Sequence, residues 1–499
     1  MHYLDQLPGV GIRLGREQLS KIQAPISSLS KASAILELFG PGSPKLRISE
    51  LSALSGLNRS SVQRITHTLA RCGWLERSEE SGLFSLGYRC LGPANTYFES
   101  NGWLALVMPF LARFNRETGL NCDCWLIDGD EAITVGRTPS AVAAMSLTPL
   151  GSRLPLTRFA EAEASALSSG PCAQPVRMLA RRFRGADGQP LGLITMSGHI
   201  DMAAIEHYRG MLRETVVQIE ELHIIKRVLP SATIEPMQQR LVRISDDDPD
   251  PLLIGAVARA LYLLQFFTPV TPELSLTELA HRSGLPVPTV QRMTQSLVEM
   301  EYLEKDPQTR SYHVALKSLD LLYRFQISSD LVNAIWPTLV RLRAALGLRC
   351  SFCILDETEI MHLLHIQSLP HPTFRTAYPG RRLPAVSSSG GRAILSRLPE
   401  ERLRDIIERS PIEAATDMTV TDKEEILAEI RLSRDRGYAL TDRQSIAGEV
   451  NIAAAVAGAD GTPLGAVVIS SPVHSWNIAR LEREVAPILL DETWNAQMC

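Results

Sequence analysis

The chain writes one long passage twice. Ser55-Gly56-Leu57 returns as Ser283-Gly284-Leu285, 228 positions on, and Val62-Gln63-Arg64 returns as Val290-Gln291-Arg292 at the same spacing. The register holds from Glu50 and Glu278 through Leu75 and Leu303, Pro109 and Pro337, Gly119 and Gly347, and Cys122 and Cys350, as far as Asp128 and Asp356. A repeat without a gap over this distance calls for two copies of one architecture. The spacing then slips. GSRLP (151–155) stands 229 before GRRLP (380–384), and DGQPLG (187–192) stands 273 before DGTPLG (460–465), so 44 residues of the second copy have no counterpart in the first. Between the copies, Pro230, Pro236, the acidic run Asp246 to Asp248, Pro249 and Pro251 mark a linker.

The repeated stretch reads as two helices around a turn. Ile48, Leu51 and Leu54 share helical spacing, and Leu276 and Leu279 repeat it. Ser275-x-x-Glu278 has the pattern of a capping box. Gly56 and Gly284 permit the sharp turn. Asn58 is a good N-cap for the next helix, and Pro286 and Pro288 suit a first helical turn. In that helix Val62, Ile65 and Leu69, or Val290, Met293 and Leu297, form the inward face. Ser61, Arg64 and His67 then face out, as do Thr289, Arg292 and Gln295, with Gln63 and Gln291 beside them. Arg59 and Ser60 sit at the helix start. Arg and Gln contact guanine and adenine edges in a major groove, and hydroxyls suit phosphates. SKASAILELF (30–39) and ARALYLLQFF (258–267) supply a first helix for each copy. LERSEESGLFSL (75–86) and LEKDPQTRSYHV (303–314), with Arg310, supply a two-stranded wing. One such stretch would equally suit a helical hairpin packed on protein. Three helices and a wing, written twice in one register, point to winged helix-turn-helix domains that bind double-stranded DNA.

The net charge of −4 neither announces nor excludes nucleic acid, because binding depends on local basic patches. Around the second reader, residues 253–325, seven Lys and Arg face seven Asp and Glu, a weak electrostatic grip that shifts the burden to the first reader. The first has Arg59 at its helix start but Glu79 and Glu80 in its wing. No apolar run approaches a membrane span and the N-terminus lacks a signal-peptide core, so no membrane partner is expected and the chain is read as cytoplasmic. Eight cysteines are too sparse for a disulfide framework. Cys350-x-x-Cys353 reads as two core thiols on a strand, or as a redox or metal pair with no second pair to complete it.

At this point the sequence resembles the IclR family of bacterial transcriptional regulators. The residues that carry the likeness are GLPVPTVQRMTQSLVEMEYLEK (284–305), the 337–348 helix, GRRLPAVSSSGGRAIL (380–395) and GYALTDRQSIAGEVNIAAAVAGADGTPLGAVVISSP (437–472). The likeness covers 253–499 fully and 29–229 with one deletion, as two family members in tandem. It implies an α+β chain in which each winged domain is joined by a linker helix to a GAF-like α/β effector domain that senses a small metabolite. Members work as repressors or activators, commonly as homodimers or higher homo-oligomers. The implied order is an arm (1–28), reader one (29–95), linker helix (96–118), a shortened GAF-like domain (119–229), a linker (230–252), reader two (253–320), linker helix (321–347) and effector domain two (348–499). In the linker helices Leu331, Ile335, Leu339, Leu342 and Leu346 make an apolar stripe that Trp103, Val107, Leu111 and Phe114 repeat. Pro109 and Pro337 would kink such a helix or begin a new one. The stripe suits core packing or pairing between the winged units.

Carried over by position, the family's ligand-contacting sites fall on Ser388, Ser389, Thr441, Asp442, Glu449, Asn451 and Ser470. The serines and glycines at a helix start would suit a carboxylate, or would simply cap the helix. The sequence departs from the family pattern at Arg392, Asn451 and Ala455. The expected effector is a small organic acid or hydroxylated aromatic, with no cofactor or metal. The first copy lacks the counterpart of about 398–448 and with it the Thr441–Asp442 segment, so it is expected to brace rather than sense. An enzyme is disfavoured: SSSGG (387–391) lacks Gly-x-Ser-x-Gly spacing. His362 and His365 read as residues of a strand, EIMHLLHI, where positions three apart face opposite sides. A protein that binds a partner regulator without reading DNA is the other reading.

Overall fold

The computed structural model describes residues 28–140, 149–160, 165–168, 176–185, 188–225, 249–367 and 377–496. Nearly all of the arm, and the linker up to residue 248, lie outside the described residues.

In the first copy, helices α1 (Ser28–Leu36), α2 (Ile48–Ser55) and α3 (Arg59–Arg71) pack around Ile35, Leu51, Val62, Ile65 and Leu69, each at most 1% exposed. Gly56 closes α2 in the left-handed region at φ 68°, and the Asn58 side chain caps α3 by accepting from the Ser61 N–H at 2.8 Å. Strands β1 (Leu75–Arg77) and β2 (Phe84–Leu86) form the wing, with Leu75 opposite Leu86. Where one joining helix was expected there are two, α4 (Leu91–Ser100) and α5 (Gly102–Thr118). The chain breaks at Asn101, where ψ of 78° is not helical, and Pro109 lies inside α5 without ending it. The effector sheet follows as β3 (Asn121–Asp128), β4 (Glu131–Thr138), β5 (Arg153–Pro155), β6 (Ser165–Ser168), β7 (Val176–Arg184) and β8 (Pro190–Gly198). They run antiparallel in the order β5-β4-β3-β8-β7-β6. Short α6 (Thr157–Ala160) and long α7 (Ile205–Ile225) complete the copy.

The second copy repeats the plan with α8 (Gly255–Leu264), β9 (Glu273–Leu274), α9 (Leu276–Ser283), α10 (Val287–Glu299), β10 (Leu303–Lys305) and β11 (Tyr312–Val314). Ser275 and Glu278 form the capping box of α9, and Gly284 closes it at φ 67°. Joining helices α11 (Ser318–Ser328) and α12 (Asp330–Leu346) break at Ser329, again eight residues before the proline. The sheet comprises β12 (Arg349–Asp356), β13 (Glu359–Ile366), β14 (Arg382–Pro384), β15 (Ala439–Asp442), β16 (Glu449–Ala457) and β17 (Pro463–Pro472), in the matching order β14-β13-β12-β17-β16-β15. Helices α13 (Ser389–Leu395), α14 (Glu400–Arg409) and α15 (Lys423–Arg436) cover one face, and α12 with α16 (Ile478–Glu484) and α17 (Ala486–Ala496) the other. The stripe Ile335, Leu339 and Leu342 is buried against β12 and β13, so it is core packing within one copy.

Pairing between the copies uses the preceding helices, α4 against α11 and α1 against α8. The contacts obey the repeat. Thr96 Oγ1 donates to the Phe267 carbonyl at 2.8 Å, and its counterpart Arg324 donates to the Phe39 carbonyl at 2.8 Å. Gly151 of the first effector domain sits on the Leu319 carbonyl, and its counterpart Gly380 sits on that of Leu91. Each effector domain therefore packs on the joining helix of the other copy. Ion pairs follow the same crossing: Arg153 to Asp320 and Arg89 to Asp356, each at 2.6 Å.

A methyl group at Gly380 would stand 2.4 Å from the Leu91 carbonyl oxygen, whereas Gly461, also at positive φ (80°), has open space. Left-handed strain alone costs about 1–2 kcal/mol. Gly380→Ala is expected to lower the thermal unfolding midpoint well beyond Gly461→Ala; equal shifts would mean that the crossed contact carries no stability.

Candidate effector cavity and nucleic-acid interface

The reading helices present what their periodicity requires. In α3 the side chains of Arg59, Ser60, Gln63 and Arg64 are exposed and Ser61 and His67 half-buried; in α10 Gln291, Arg292 and Gln295 are exposed and Thr289 half-buried. Arg310 stands exposed in the second wing, at φ 60° in its turn. One feature had no signal in the sequence. The segment leading into α8 lies along the C-terminal half of α3. Asp250 pairs with His67 at 2.5 Å and with Arg71 at 2.9 Å, and the Leu253 carbonyl accepts from Arg64 at 3.4 Å. The first reader thus keeps Arg59, Ser60 and Gln63 clear while Arg64 and His67 are engaged by protein. In the second reader, Gln295 donates to Glu299 at 3.1 Å.

The second effector domain holds a cavity of about 410 Å³ between its sheet and α13. Six of the seven residues carried over to this region line it: Ser388, Ser389, Thr441, Glu449, Asn451 and Ser470. Strand register explains why. Thr441 lies opposite Asn451, Asn451 opposite Ser470, and Ser470 opposite Arg349, so four polar side chains form one row across β15, β16, β17 and β12. Asp442, one residue on from Thr441, is outside the row and pairs with Arg443 at 2.8 Å, away from the cavity.

The cavity also contains residues not anticipated as ligand contacts: Arg349, Ser351, His362, His365 and Arg381. EIMHLLHI is strand β13, but the two histidines do not face opposite sides. Leu364 pairs with Phe352 but His362 pairs with Cys353, so Leu363 is an extra residue, a bulge that resets the alternation. His362 and His365 therefore share a face, their rings stacked with centroids 4.7 Å apart. Burial, then Arg381 and Arg349, push the His362 imidazole down to about 3. Burial, then its partner ring, pushes His365 down as well. Arg349 donates to Glu449 at 2.6 Å in a buried ion pair, which cancels both charges. With neutral imidazoles and that pair, Arg381 is the uncompensated charge among the described residues of the lining. Thr441 Oγ1, Asn451 Oδ1 and both ring nitrogens of His365 are buried without a hydrogen-bond partner among the described residues.

The glycines of SSSGG serve packing. A Cβ at Gly391 would meet the Ala385 carbonyl oxygen at 2.1 Å, and one at Gly390 would meet Cys353 Sγ at 2.6 Å. Ser388 caps the seven-residue α13 by accepting from the Gly391 N–H at 3.2 Å. Arg392 is wholly buried and donates to the Val386 carbonyl and to Gln444, both at 2.7 Å, so it locks the turn. Cys350 and Cys353 belong to separate core clusters, and burial pushes the Cys353 thiol up to about 12, so they are core thiols. Among the described residues no group of three His, Cys, Asp or Glu is placed to hold a metal ion, and no helix is long and apolar enough to cross a membrane.

The first effector domain differs at the same place. Trp125 stands where the second copy has Cys353, donates through Nε1 to Thr195 at 2.9 Å and packs edge-on against Phe159 at 5.1 Å. These rings, with Ala132, Met178 and Leu193, form a core cluster on the face that α13 covers in the second copy.

Comparison with known proteins agrees with this architecture. The family model of the IclR helix-turn-helix domain matches residues 28–79 and again 256–307, and that of the bacterial transcriptional regulator IclR C-terminal region matches 326–493. The chain is 27% identical over 241 residues to the Pca regulon regulatory protein of Pseudomonas putida, a match covering 48% of this chain and 82% of that protein. It is 30% identical over 229 residues to the HTH-type transcriptional regulator BhcR of Paracoccus denitrificans, covering 46% of this chain and 81% of the relative. An IclR family transcriptional regulator from Brucella abortus, whose structure is solved, is 25% identical with a TM-score of 0.44, over 53% of this chain and 99% of that one. With both halves carrying the reader and the second carrying the matching effector region, the chain belongs to the IclR family of bacterial transcriptional regulators.

Proposed function

We propose that this chain acts as a built-in pair. Its two unlike readers engage two half-sites of one operator, and the second effector cavity gates them by taking a small organic anion. The observation that carries the reading is the crossed, repeat-related packing of Thr96 and Arg324, which holds two exposed reading faces in one molecule. Dimeric helix-turn-helix proteins bring two identical units to half-sites about one turn apart; two different units in one chain suit an asymmetric site. On the first reader Arg59, Ser60, Ser61 and Gln63 lead, with Arg64 and His67 released from the Asp250 segment on DNA. On the second Thr289, Gln291, Arg292, Gln295 and the wing residue Arg310 contact DNA. The partners are therefore double-stranded DNA, a small effector and, in line with the family resemblance, further copies of the chain.

The anion reading of the cavity rests on Arg381 as the uncompensated charge among its described lining and on the unpartnered Thr441 hydroxyl, which can donate to a carboxylate; the unpartnered Asn451 Oδ1 accepts, and suits a hydroxyl of the same molecule. Ser388, Ser389, Glu449 and Ser470 complete the wall; Asp442 supports the rim through Arg443. We assign no reaction to the site, since its imidazoles stack on each other and, among the described residues, no base is paired with a serine hydroxyl of the cavity. The first effector domain, closed by Trp125 and Phe159, braces.

The test is a footprint of the purified protein on DNA upstream of its own gene, with Arg59→Ala, Arg64→Ala and Arg292→Ala. Protection over about two helical turns, weakened by substitutions in either reader, is expected. Protection that ignores Arg292→Ala would make the second reader a scaffold, and none at any salt would favour a partner-binding protein. For the cavity, a thermal-shift screen of small oxo-, hydroxy- and aromatic carboxylates should yield a stabilising compound whose effect falls at least tenfold in affinity with Asn451→Leu and is untouched by Met178→Leu in the first domain.

The buried histidines also set a pH dependence. Their folded pKa lies below the ordinary 6.5, so the unfolded chain binds more protons as pH falls through that value. Stability of the second effector domain is expected to be full above about pH 7 and to fall toward pH 5. His362→Gln with His365→Gln should flatten that slope in thermal unfolding; an unchanged slope would place the proton uptake elsewhere.

A further inference from the structure

A second and larger cleft, about 1020 Å³, lies between the two copies. It straddles the internal two-fold relation, because repeat-related residues face it from both sides: Met108 opposite Trp336, Arg137 opposite His365, and Pro149 opposite Tyr378. In a dimer of identical chains a cleft on the symmetry axis must carry the same residue on both sides. Here the two sides have diverged, and each of these pairs differs in chemistry. One side offers a cation and the other offers two aromatic rings.

We propose that this cleft is a ligand site, separate from the effector cavity, for a monocarboxylate with a flat apolar body. Among the described residues of its lining, Arg137 is the formally charged one. The guanidinium carbon stands 6.0 Å from the centre of the Trp336 ring, and the group makes no hydrogen bond or ion pair among the described residues. Its cross-strand neighbour Asp123 is the acidic group that acts on it; burial pushes that carboxyl up and pushes the guanidinium down, so a bound carboxylate would favour the charged form of Arg137. A guanidinium matches a carboxylate with two parallel hydrogen bonds. Trp336 and Tyr378, with Leu150 and Leu364, offer flat and apolar walls for the body of such a molecule.

The position gives the site a consequence. His365 lines both this cleft and the effector cavity, so the two share a wall. A molecule in the cleft also touches both copies at once, and its binding resists any movement of one effector domain against the other.

The test uses benzoate as probe on the full chain, by calorimetry and tryptophan fluorescence, with benzamide as the uncharged control. Benzoate is expected to bind at millimolar concentration or better, with benzamide about tenfold weaker or more. Arg137→Met should weaken benzoate to a similar degree, Arg137→Lys should recover only part of that loss, because a lysine ammonium keeps the charge without the paired donors, and Leu150→Trp should block it while leaving Arg137 in place. Arg381→Met, in the effector cavity, should leave this binding unchanged. The proposal is overturned if wild-type protein shows no benzoate binding. It is equally overturned if binding persists in both Arg137→Met and Leu150→Trp, or if it disappears with Arg381→Met alone, which would place benzoate in the effector cavity.

Discussion

The Phe39 and Phe267 carbonyls follow the first helix of each reader, where backbone acceptors lose their helical partners, and each is satisfied from the other copy. Thr96 does it with a hydroxyl and Arg324 with a guanidinium that also takes the Glu37 carbonyl at 2.6 Å. A buried acceptor left unpaired costs about 1–3 kcal/mol, so neither reader is complete alone. The crossed effector contacts depend on the same arrangement. Gly151 and Gly380 can approach the opposite joining helices only while α4 and α11 lie side by side. The expected joining helix is two helices for this reason: the break at Asn101 and Ser329 lets the first piece pair across the molecule while the second lies on its own sheet.

Against that shared frame, the effector domains have separated in chemistry. The second keeps a row of polar side chains under a short helix whose glycines let it sit close to the sheet. The first lacks 44 residues of the second, and among its described residues Trp125 and Phe159 pack on the matching face. A domain that has lost that much covering surface can remain folded only by replacing the lost apolar contact, and an indole with a bonded N–H does this at low polar cost.

Much of this was legible in the sequence, for identifiable reasons. The helices of the readers followed from apolar spacing, from Gly56 and Gly284, and from caps such as Asn58 and Ser275, because these are local preferences. Family position placed Thr441, Glu449 and Asn451 at the cavity but carried Asp442 there as well; the alternation of β15 turns Asp442 away, and the carry-over took no account of it. The histidine pair was misread because a bulge at Leu363 leaves no compositional trace, and one inserted residue reverses the face of everything after it. Arg349 and Arg381 were missed because a charged residue at a strand end reads as solvent-facing until its partner, Glu449 in the first case, is known. The grip of Asp250 on α3 joins residues about 180 positions apart and has no local signature.

The crossed pairing of the two copies has a kinetic and a dosage consequence. Where two readers come from separate chains, a paired reader must first assemble, and the fraction able to grip an operator falls as the protein is diluted. Where one polypeptide ties them, the partner is present at a fixed local concentration set by the chain itself. Under the proposed two-reader function, occupancy of the operator by that pair follows the first power of the number of molecules in the cell, without an assembly threshold between the two readers.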